Sequence, residues 1–449
     1  MSTKRNLLIQ LLNIAGMGPV VGVVLGMKFG AIVFLLLPIG NVIGGAIHDY
    51  FTGMISARNN GADMTSLVHK FFGKEVGALF MVLVIVSLLL LVTTFTNIPA
   101  NFIATLIPFG WVVLVCAVIG IFAYYIISTI FPIDKIVGKI YPVFGIALLV
   151  MTIVLCFAYI PFSGYIPDVT LTVEGLAAAF TAHPDGQPII PMLFITIACG
   201  ILSGFHATQS PITARTITSE RAGRKVFYGM MIAEGLIAMV WAAGASIVFS
   251  LDPVSLFLTS GNAIIYEILD LVFPSVLIVF GLIVLIILAI TSGDTALRVI
   301  RTSISSYYKI DQSTMRKRVM LVIPLVIVIS ALLLWSNLIP TGYAVLWNYF
   351  SWFNQIIASF ALLVGTVYLI SKWKQFWITL IPGAAILFMV LSFFFRSSPE
   401  HLAGVPFGIG MPLEISYVVS LVLTVVIYVL AIRQGKKLKA DKTFSADEE

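Results

Sequence analysis

Charge is what this sequence has least of. Only 10% of its 449 residues are charged, against about a quarter in a typical soluble chain. With 60% hydrophobic residues and a mean hydropathy of +1.07, there is more apolar surface than a soluble core can absorb. Cysteine is scarce as well: Cys116, Cys156 and Cys199 all fall inside apolar runs. They suggest neither a metal cluster nor a disulfide framework, and no Cys or His spacing suggests haem or zinc. The G-x-x-x-x-G-K-[ST] phosphate loop is missing, so ATP-driven pumping by this chain is not expected. Enzyme readings find no support. Two long segments, 162–189 and 251–272, carry acidic residues but neither Lys nor Arg.

What the sequence has is long apolar runs. A helix needs about 20 apolar residues to cross a bilayer, and twelve segments qualify. They are roughly 6–27, 30–56, 76–105, 111–131, 139–161, 190–212, 226–250, 273–297, 319–338, 343–370, 375–395 and 413–432. The opening segment is expected to be the first of them rather than a cleaved signal peptide. If the N-terminus is cytoplasmic, 24 of the 26 Lys and Arg, Lys135 and Lys139 among them, fall on cytoplasmic segments, and only Lys28 and Arg396 lie outside. The positive-inside rule needs far less bias than that. Both termini are therefore expected in the cytoplasm, on either end of a multi-pass membrane protein. Topology accounts for the net charge of +6, so nucleic acid is not an expected partner; membrane lipid is. Segment 251–272 reads as an amphipathic surface helix, and the polar tail after Arg433 as disordered.

Two spans should not be straight. Span one carries Gly16, Gly18 and Pro19 in its middle; span six carries Gly200, Gly204 and Pro211. Pro removes a backbone donor and Gly weakens the helix. Freed backbone groups inside a bilayer are tolerated only against protein or a water-filled cavity. Interrupted spans in matching positions of two halves mark a transporter binding site, whereas Gly and Pro in single spans often serve close packing alone. Each interrupted span opens a block of five helices, and an odd number per block inverts the second. The expected architecture is an all-α membrane domain with a five-plus-five inverted repeat. Residues 1–161 form the first repeat, 190–371 the second, 375–432 two added helices and 433–449 a cytoplasmic tail.

At this point several motifs become recognisable together: "IAGMGPVVG" (14–22), "GGAIHDYFTGMISARNNG" (44–61), "ACGILSGFHATQSPITAR" (198–215), "AEGLIA" (233–238), "TSGDTALRVIR" (291–301) and "FNQIIASFAL" (353–362). The chain resembles the carbon starvation protein family, in a short form. That family comprises peptide transporters, with some members implicated in pyruvate uptake. Its grouping with the amino acid–polyamine–organocation transporters implies the same LeuT-type inverted repeat. Ile9 and Gln10 stand where long members carry a His pair, so a role assigned to those histidines does not transfer. The implied function is secondary active import of a small polar metabolite during carbon starvation, coupled to Na+ or H+. The alternatives are an ion channel or a membrane nutrient sensor of the same fold. No cofactor beyond a coupling ion is expected, and the oligomeric state is left open.

Candidate substrate ligands come from the two breaks and from buried amides: Asn13, Gly16, Gly18, Asn97, Ser203, Gly204, His206, Gln209, Asn354 and Gln355. Such amides bind a polar substrate or serve as helix glue. Ionisable side chains near mid-bilayer are expensive and need a partner. Asp49 either bridges to a neighbouring helix near the inner gate or exchanges a proton with His48, whose side-chain type titrates near neutrality. Glu234, inside span seven, needs a partner too. Thr291, Asp294 and Arg298 form a polar stripe on span eight, where Asp294 and Arg298 are one turn apart. In transporters of this fold such hydroxyls, with carbonyls freed in span one, often hold sodium, a hard cation that prefers oxygen. The resemblance thus places a sodium site at Ala15, Thr291, Ser292 and Asp294. Sodium is weighted slightly ahead of protons.

Overall fold

The computed structural model describes residues 1–107, 109–130, 133–258, 260–402 and 404–448, leaving aside the side chains of residues 129, 130 and 133–140. Lys135 and Lys139, counted above toward the cytoplasmic face, lie outside the described side chains. The described residues contain helices and no strand. In chain order these are α1 (Thr3–Ile14), α2 (Met17–Gly26), α3 (Val33–Gly40), α4 (Ala46–Ala57), α5 (Met64–Phe72), α6 (Lys74–Leu106), α7 (Trp111–Ile130) and α8 (Ile133–Ala158). The second half holds α9 (Val173–Ala179), α10 (Phe194–Thr196), α11 (Ala198–Ile201), α12 (Gly204–Ala214), α13 (Glu220–Gly223), α14 (Met230–Leu251), α15 (Gly261–Val272) and α16 (Ser275–Tyr308). The last four are α17 (Met315–Leu338), α18 (Gly342–Ser371), α19 (Trp377–Arg396) and α20 (Leu413–Ala440).

Among the described residues, ten helical stretches are long and apolar enough to cross a membrane, and two bent pairs complete twelve spans. The bent pairs are the two that the Gly and Pro positions single out. Thr3–Ile14 and Met17–Phe29 meet at 49°, and Ile189–Thr196 and Ala198–Ala214 at 66°. Pro19 sits in the first turn of α2, where a missing amide costs nothing. The two breaks cross on small residues, because only a glycine lets the backbones approach. A Cβ at Gly22 would lie 2.6 Å from the Thr196 carbonyl oxygen, and one at Gly18 would lie 3.1 Å from Cys199 Cβ. Long helices α6, α14, α16 and α18 enclose this crossing. Exposed apolar residues on α17 (Ile323, Ile327, Leu334, Leu338) and α20 (Leu421, Val425, Leu430) suit contact with lipid.

Three segments differ from the sequence-based expectation. Span two is not uniform: a π-helical turn, Asn41–Gly45, separates α3 from α4. Asn41 Nδ2 there donates to Gly200 O (3.2 Å) and Met231 O (3.0 Å), so the turn aims a brace at the span-six break. Residues 251–272 do contain an amphipathic helix, α15, but Ile264, Ile265, Ile268 and Leu269 are buried and the helix packs on α2 and α14. The expected disorder after Arg433 is corrected. α20 continues to Ala440, and the chain then turns back so that Phe444 meets Phe71 edge-on at 5.7 Å and Ala446 is buried. An apolar anchor within a polar tail is what composition alone overlooks.

The crossing of the two breaks tolerates no added methyl. Gly22→Ala should cost about 1–3 kcal/mol by overpacking against a backbone carbonyl and lower the thermal midpoint in detergent. Gly120→Ala, on α7 with open space at the Cβ position, should leave that midpoint unchanged or slightly raised.

Candidate functional site

The broken sixth span exposes backbone groups, and side chains from α18 satisfy them. Leu202 and Ser203 are extended between α11 and α12. Asn354 Oδ1 accepts the Phe205 amide at 2.7 Å, while its Nδ2 donates to Ser203 Oγ at 2.9 Å. Gln355 Nε2 donates to Leu202 O at 3.0 Å. With Asn41 on the Gly200 carbonyl, three amides hold the interruption open. Gly204 is required because a Cβ there would run into the Asn354 carbonyl oxygen. Asn354, Gln355 and Ser203 therefore sit at the break, with Asn354 and the Gln355 amide nitrogen engaged in building it.

Around the start of α12 four ionisable side chains from three helices come together. His48 Nδ1 and Asp49 Oδ1, on α4, are 2.8 Å apart. Asp49 Oδ2 lies 3.4 Å from His206 Nδ1 on α12, and His206 Nε2 lies 3.8 Å from Glu234 Oε1 on α14. None of the four is more than 1% exposed. The order in space is Glu234, His206, Asp49, His48, with each ring nitrogen of His206 turned to a different carboxylate. Among the described residues Asp49 Oδ2, His48 Nε2, His206 Nδ1 and both Glu234 oxygens have no hydrogen-bond partner. Sequence spacing placed Asp49 on the small face of span two. The pairing of His206 with Asp49 and Glu234 had no sequence signal, because it depends on which helices meet.

α1 faces α12 in an antiparallel register. Asn6 and Thr216 are hydrogen-bonded at 2.9 Å and Gln10 Nε2 reaches Ser210 Oγ at 3.4 Å. Continuing that register sets Asn13, at the last turn of α1, level with His206. Asn13 and Gln209 are buried, and both polar ends of each lack a partner among the described residues, as do Gln10 Oε1 and Thr213 Oγ1. Buried amides are ordinarily hydrogen-bonded to protein or water, and this strip is a row of open donors and acceptors. Gln10, Ser210 and Thr213 were absent from the sequence-based candidates; the i, i+3, i+7 spacing of His206, Gln209 and Thr213 was the available signal.

The span-eight candidates lie elsewhere. Ser292 abuts the first break, where a Cβ on Gly16 would be 2.9 Å from its Oγ. The Thr291 and Ser292 hydroxyls both donate to Leu288 O at 3.0 Å. Asp294 Oδ2 accepts from Ser128 Oγ (2.7 Å) and Tyr141 OH (3.1 Å) and lies 3.8 Å from Arg298 Nη2. Arg298 in turn donates to Ser128 O at 2.8 Å. The Oδ2 oxygen of this carboxylate is thus met by a guanidinium and by hydroxyl donors, while Oδ1 has no hydrogen-bond partner among the described residues. Ala15 ends α1 beside Gly16. Asn97 is joined to Asn101 (3.0 Å) and Asn337 (3.1 Å), tying α6 to α17.

Comparison with known proteins agrees with these motifs. The family model for carbon starvation protein CstA matches residues 2–182, 165–268 and 243–393. The chain belongs to that family. An uncharacterized membrane protein of Haemophilus influenzae is 41% identical over 285 residues, covering 54% of this chain and 76% of that one. The family also includes two similar proteins with named activities. The pyruvate/proton symporter BtsT of Escherichia coli is 28% identical over 52% of this chain, and the peptide transporter CstA of Helicobacter pylori (strain J99) is 25% identical over 51%. The match spans 40% and 41% of those two proteins. In fold, the chain resembles a manganese transporter of Eremococcus coleocola solved with a bis-isothiourea compound, at 13% identity and TM-score 0.61 over 97% of this chain and 94% of that one. It also resembles Mhp1, a nucleobase–cation symport-1 family transporter, at 14% identity and TM-score 0.56 over 99% and 94%. This family member thus shares its fold, built here from up to twelve spans, with those two solved transporters.

The amides at the break are separable from the rest of the site by stability. Asn354→Leu should leave the Phe205 amide and Ser203 hydroxyl unpartnered, costing about 1–3 kcal/mol and lowering the thermal midpoint. Asn97→Leu, remote in its bonding from either break, should have the smaller effect.

Proposed function

We propose that this chain is a proton-coupled secondary transporter that imports a small polar metabolite across a bacterial cytoplasmic membrane. The observation that carries the proposal is the buried series Glu234, His206, Asp49 and His48 beside the broken sixth span. Burying four ionisable groups in a membrane core is expensive, and imidazole is the group that gains and loses a proton near neutrality. His206 faces one carboxylate with each nitrogen, so protonation at one side and release at the other moves a proton between Asp49 and Glu234. The substrate lies next to this relay, along Asn13 and Gln209, whose carboxamides each offer a donor and an acceptor. That chemistry suits carboxylates and amides: short peptides, amino acids and pyruvate-like acids. Two relatives, a peptide transporter and a pyruvate/proton symporter, support the same range.

Protons are favoured over sodium because Asp294 already has Arg298, Ser128 and Tyr141 as partners. The test is uptake of labelled pyruvate, alanine and dialanine into proteoliposomes under an imposed pH gradient and, separately, an imposed sodium gradient. The pH gradient should drive uptake of at least one of the three. Glu234→Gln and Asp49→Asn should each reduce that uptake about ten-fold or more while counterflow exchange persists. Uptake driven by sodium and unchanged in both variants overturns the proton assignment. A folded protein inert to all three compounds under either gradient overturns the substrate range.

Both ends of the helical domain are assigned to the cytoplasm from the distribution of Lys and Arg. Gly164 lies after α8 with open space at its Cβ position, and Ala440 ends α20. Gly164→Cys should react with an impermeant thiol reagent added to intact cells and Ala440→Cys should not; the reverse pattern inverts the orientation.

A further inference from the structure

The segment after α20 makes a set of contacts across the ends of several other helices. Asp447 reaches Lys372 Nζ at 2.8 Å and Tyr368 OH at 2.9 Å, both on or next to the end of α18. The Ala446 carbonyl accepts from Asn59 Nδ2 at 3.1 Å, and the Glu448 amide donates to Arg58 O at 2.9 Å. The Glu448 carboxylate lies 3.5 Å from Lys70 Nζ and accepts from Asn60 Nδ2 at 3.2 Å. Phe444 packs on Phe71 of α5. Four residues thus join the end of α4, the α4–α5 turn, α5 and the end of α18. By the sequence-based division into 1–161 and 190–371 these elements belong to different repeats, and α4 is the helix that carries His48 and Asp49. Arg58 extends the contact, with both Nε and Nη2 on the Glu220 carboxylate at 2.9 Å and Nη1 on Tyr368 OH at 2.9 Å.

The strength of these contacts fits a device that opens. The two ion pairs are partly exposed, Asp447 at 29% and Glu448 at 52%. Such pairs are individually weak and salt-screened. The anchors beside them, Ala446 and Asn59, are buried, which sets the register. A permanent staple would bury the charges or replace them with apolar groups. Secondary transporters of this architecture expose their site by moving one repeat against the other, and a bridge between the halves at one face opposes that movement.

We propose that residues 444–448 are an autoinhibitory latch that holds α4 and α5 to α18 on the cytoplasmic face and keeps the buried site closed there, an inference that rests on the transport reading. Its ligand is the chain's own acidic segment, and the receiving surface is Lys70, Lys372, Asn59 and Tyr368.

The experiment follows closure directly, without needing a substrate. Thr213, buried on the half of α12 nearest Arg215, serves as reporter: Thr213→Cys is introduced into full-length protein whose three native cysteines are replaced by serine. The protein is held in nanodiscs, so both faces meet a small maleimide whichever way the chain is oriented. Deleting residues 441–449, or Asp447→Lys alone, should speed labelling about five-fold. Lys372→Asp should do the same, and combining it with Asp447→Lys should restore slow labelling. Equal rates in the intact and deleted chains overturn the latch, as does a charge-swapped pair that labels as fast as either single variant. Loss of folding is recognised separately, by loss of the monodisperse elution peak. Absence of uptake in every assay contradicts the transport reading and leaves the labelling result standing.

Discussion

A backbone amide or carbonyl left without a partner inside a bilayer costs several kcal/mol, and that constraint organises this molecule. Span six is interrupted for two extended residues, Leu202 and Ser203, so partners have to be brought to it. Asn354, Gln355 and Asn41 are those partners. To deliver them, α18 must run against the break and span two must adopt a π turn. To let α18 approach, residue 204 must be glycine. The same interruption ends one helix and begins another at mid-span, placing His206 in the first turn of α12. The polar centre is a consequence of a helix that is not allowed to be continuous.

Two buried acidic centres show how environment separates support from chemistry. Asp294 is met by an arginine one turn away and by hydroxyls of two other helices. Removing one member of such a set strands the others and destabilises the fold. Asp49 and Glu234 face imidazoles instead; among the described residues Asp49 Oδ2 and both Glu234 oxygens have no hydrogen-bond partner, as is also true of Asp294 Oδ1. A carboxylate paired with a guanidinium faces a group that keeps its proton. A carboxylate paired with histidine has a proton to exchange.

Much of this was legible in the sequence. The apolar runs gave twelve spans because a bilayer sets their length, and the paired Gly and Pro clusters located both bends. The i, i+4 spacing of Asp294 and Arg298 anticipated their pairing. Other features depended on facts that periodicity does not contain. His206 and Asp49 are 157 positions apart in number and meet only because α12 packs on α4. Ser128 and Tyr141 reach Asp294 from the fourth and fifth spans with no mark in their local pattern. The segment after α20 read as a disordered tail because its composition is polar, while its order comes from Phe71, Asn59 and Lys372 on other elements.

The central claim is that the buried carboxylates beside His206 exchange a proton during the cycle. Infrared difference spectroscopy of the membrane-reconstituted protein measures it directly, through the C=O stretch of a protonated carboxyl group as bulk pH is stepped. The account predicts a buried carboxyl signal that appears and disappears with pH, is lost in Glu234→Gln or Asp49→Asn, and persists in Asp294→Asn. A spectrum with no titrating buried carboxyl, or one abolished only by Asp294→Asn, contradicts it.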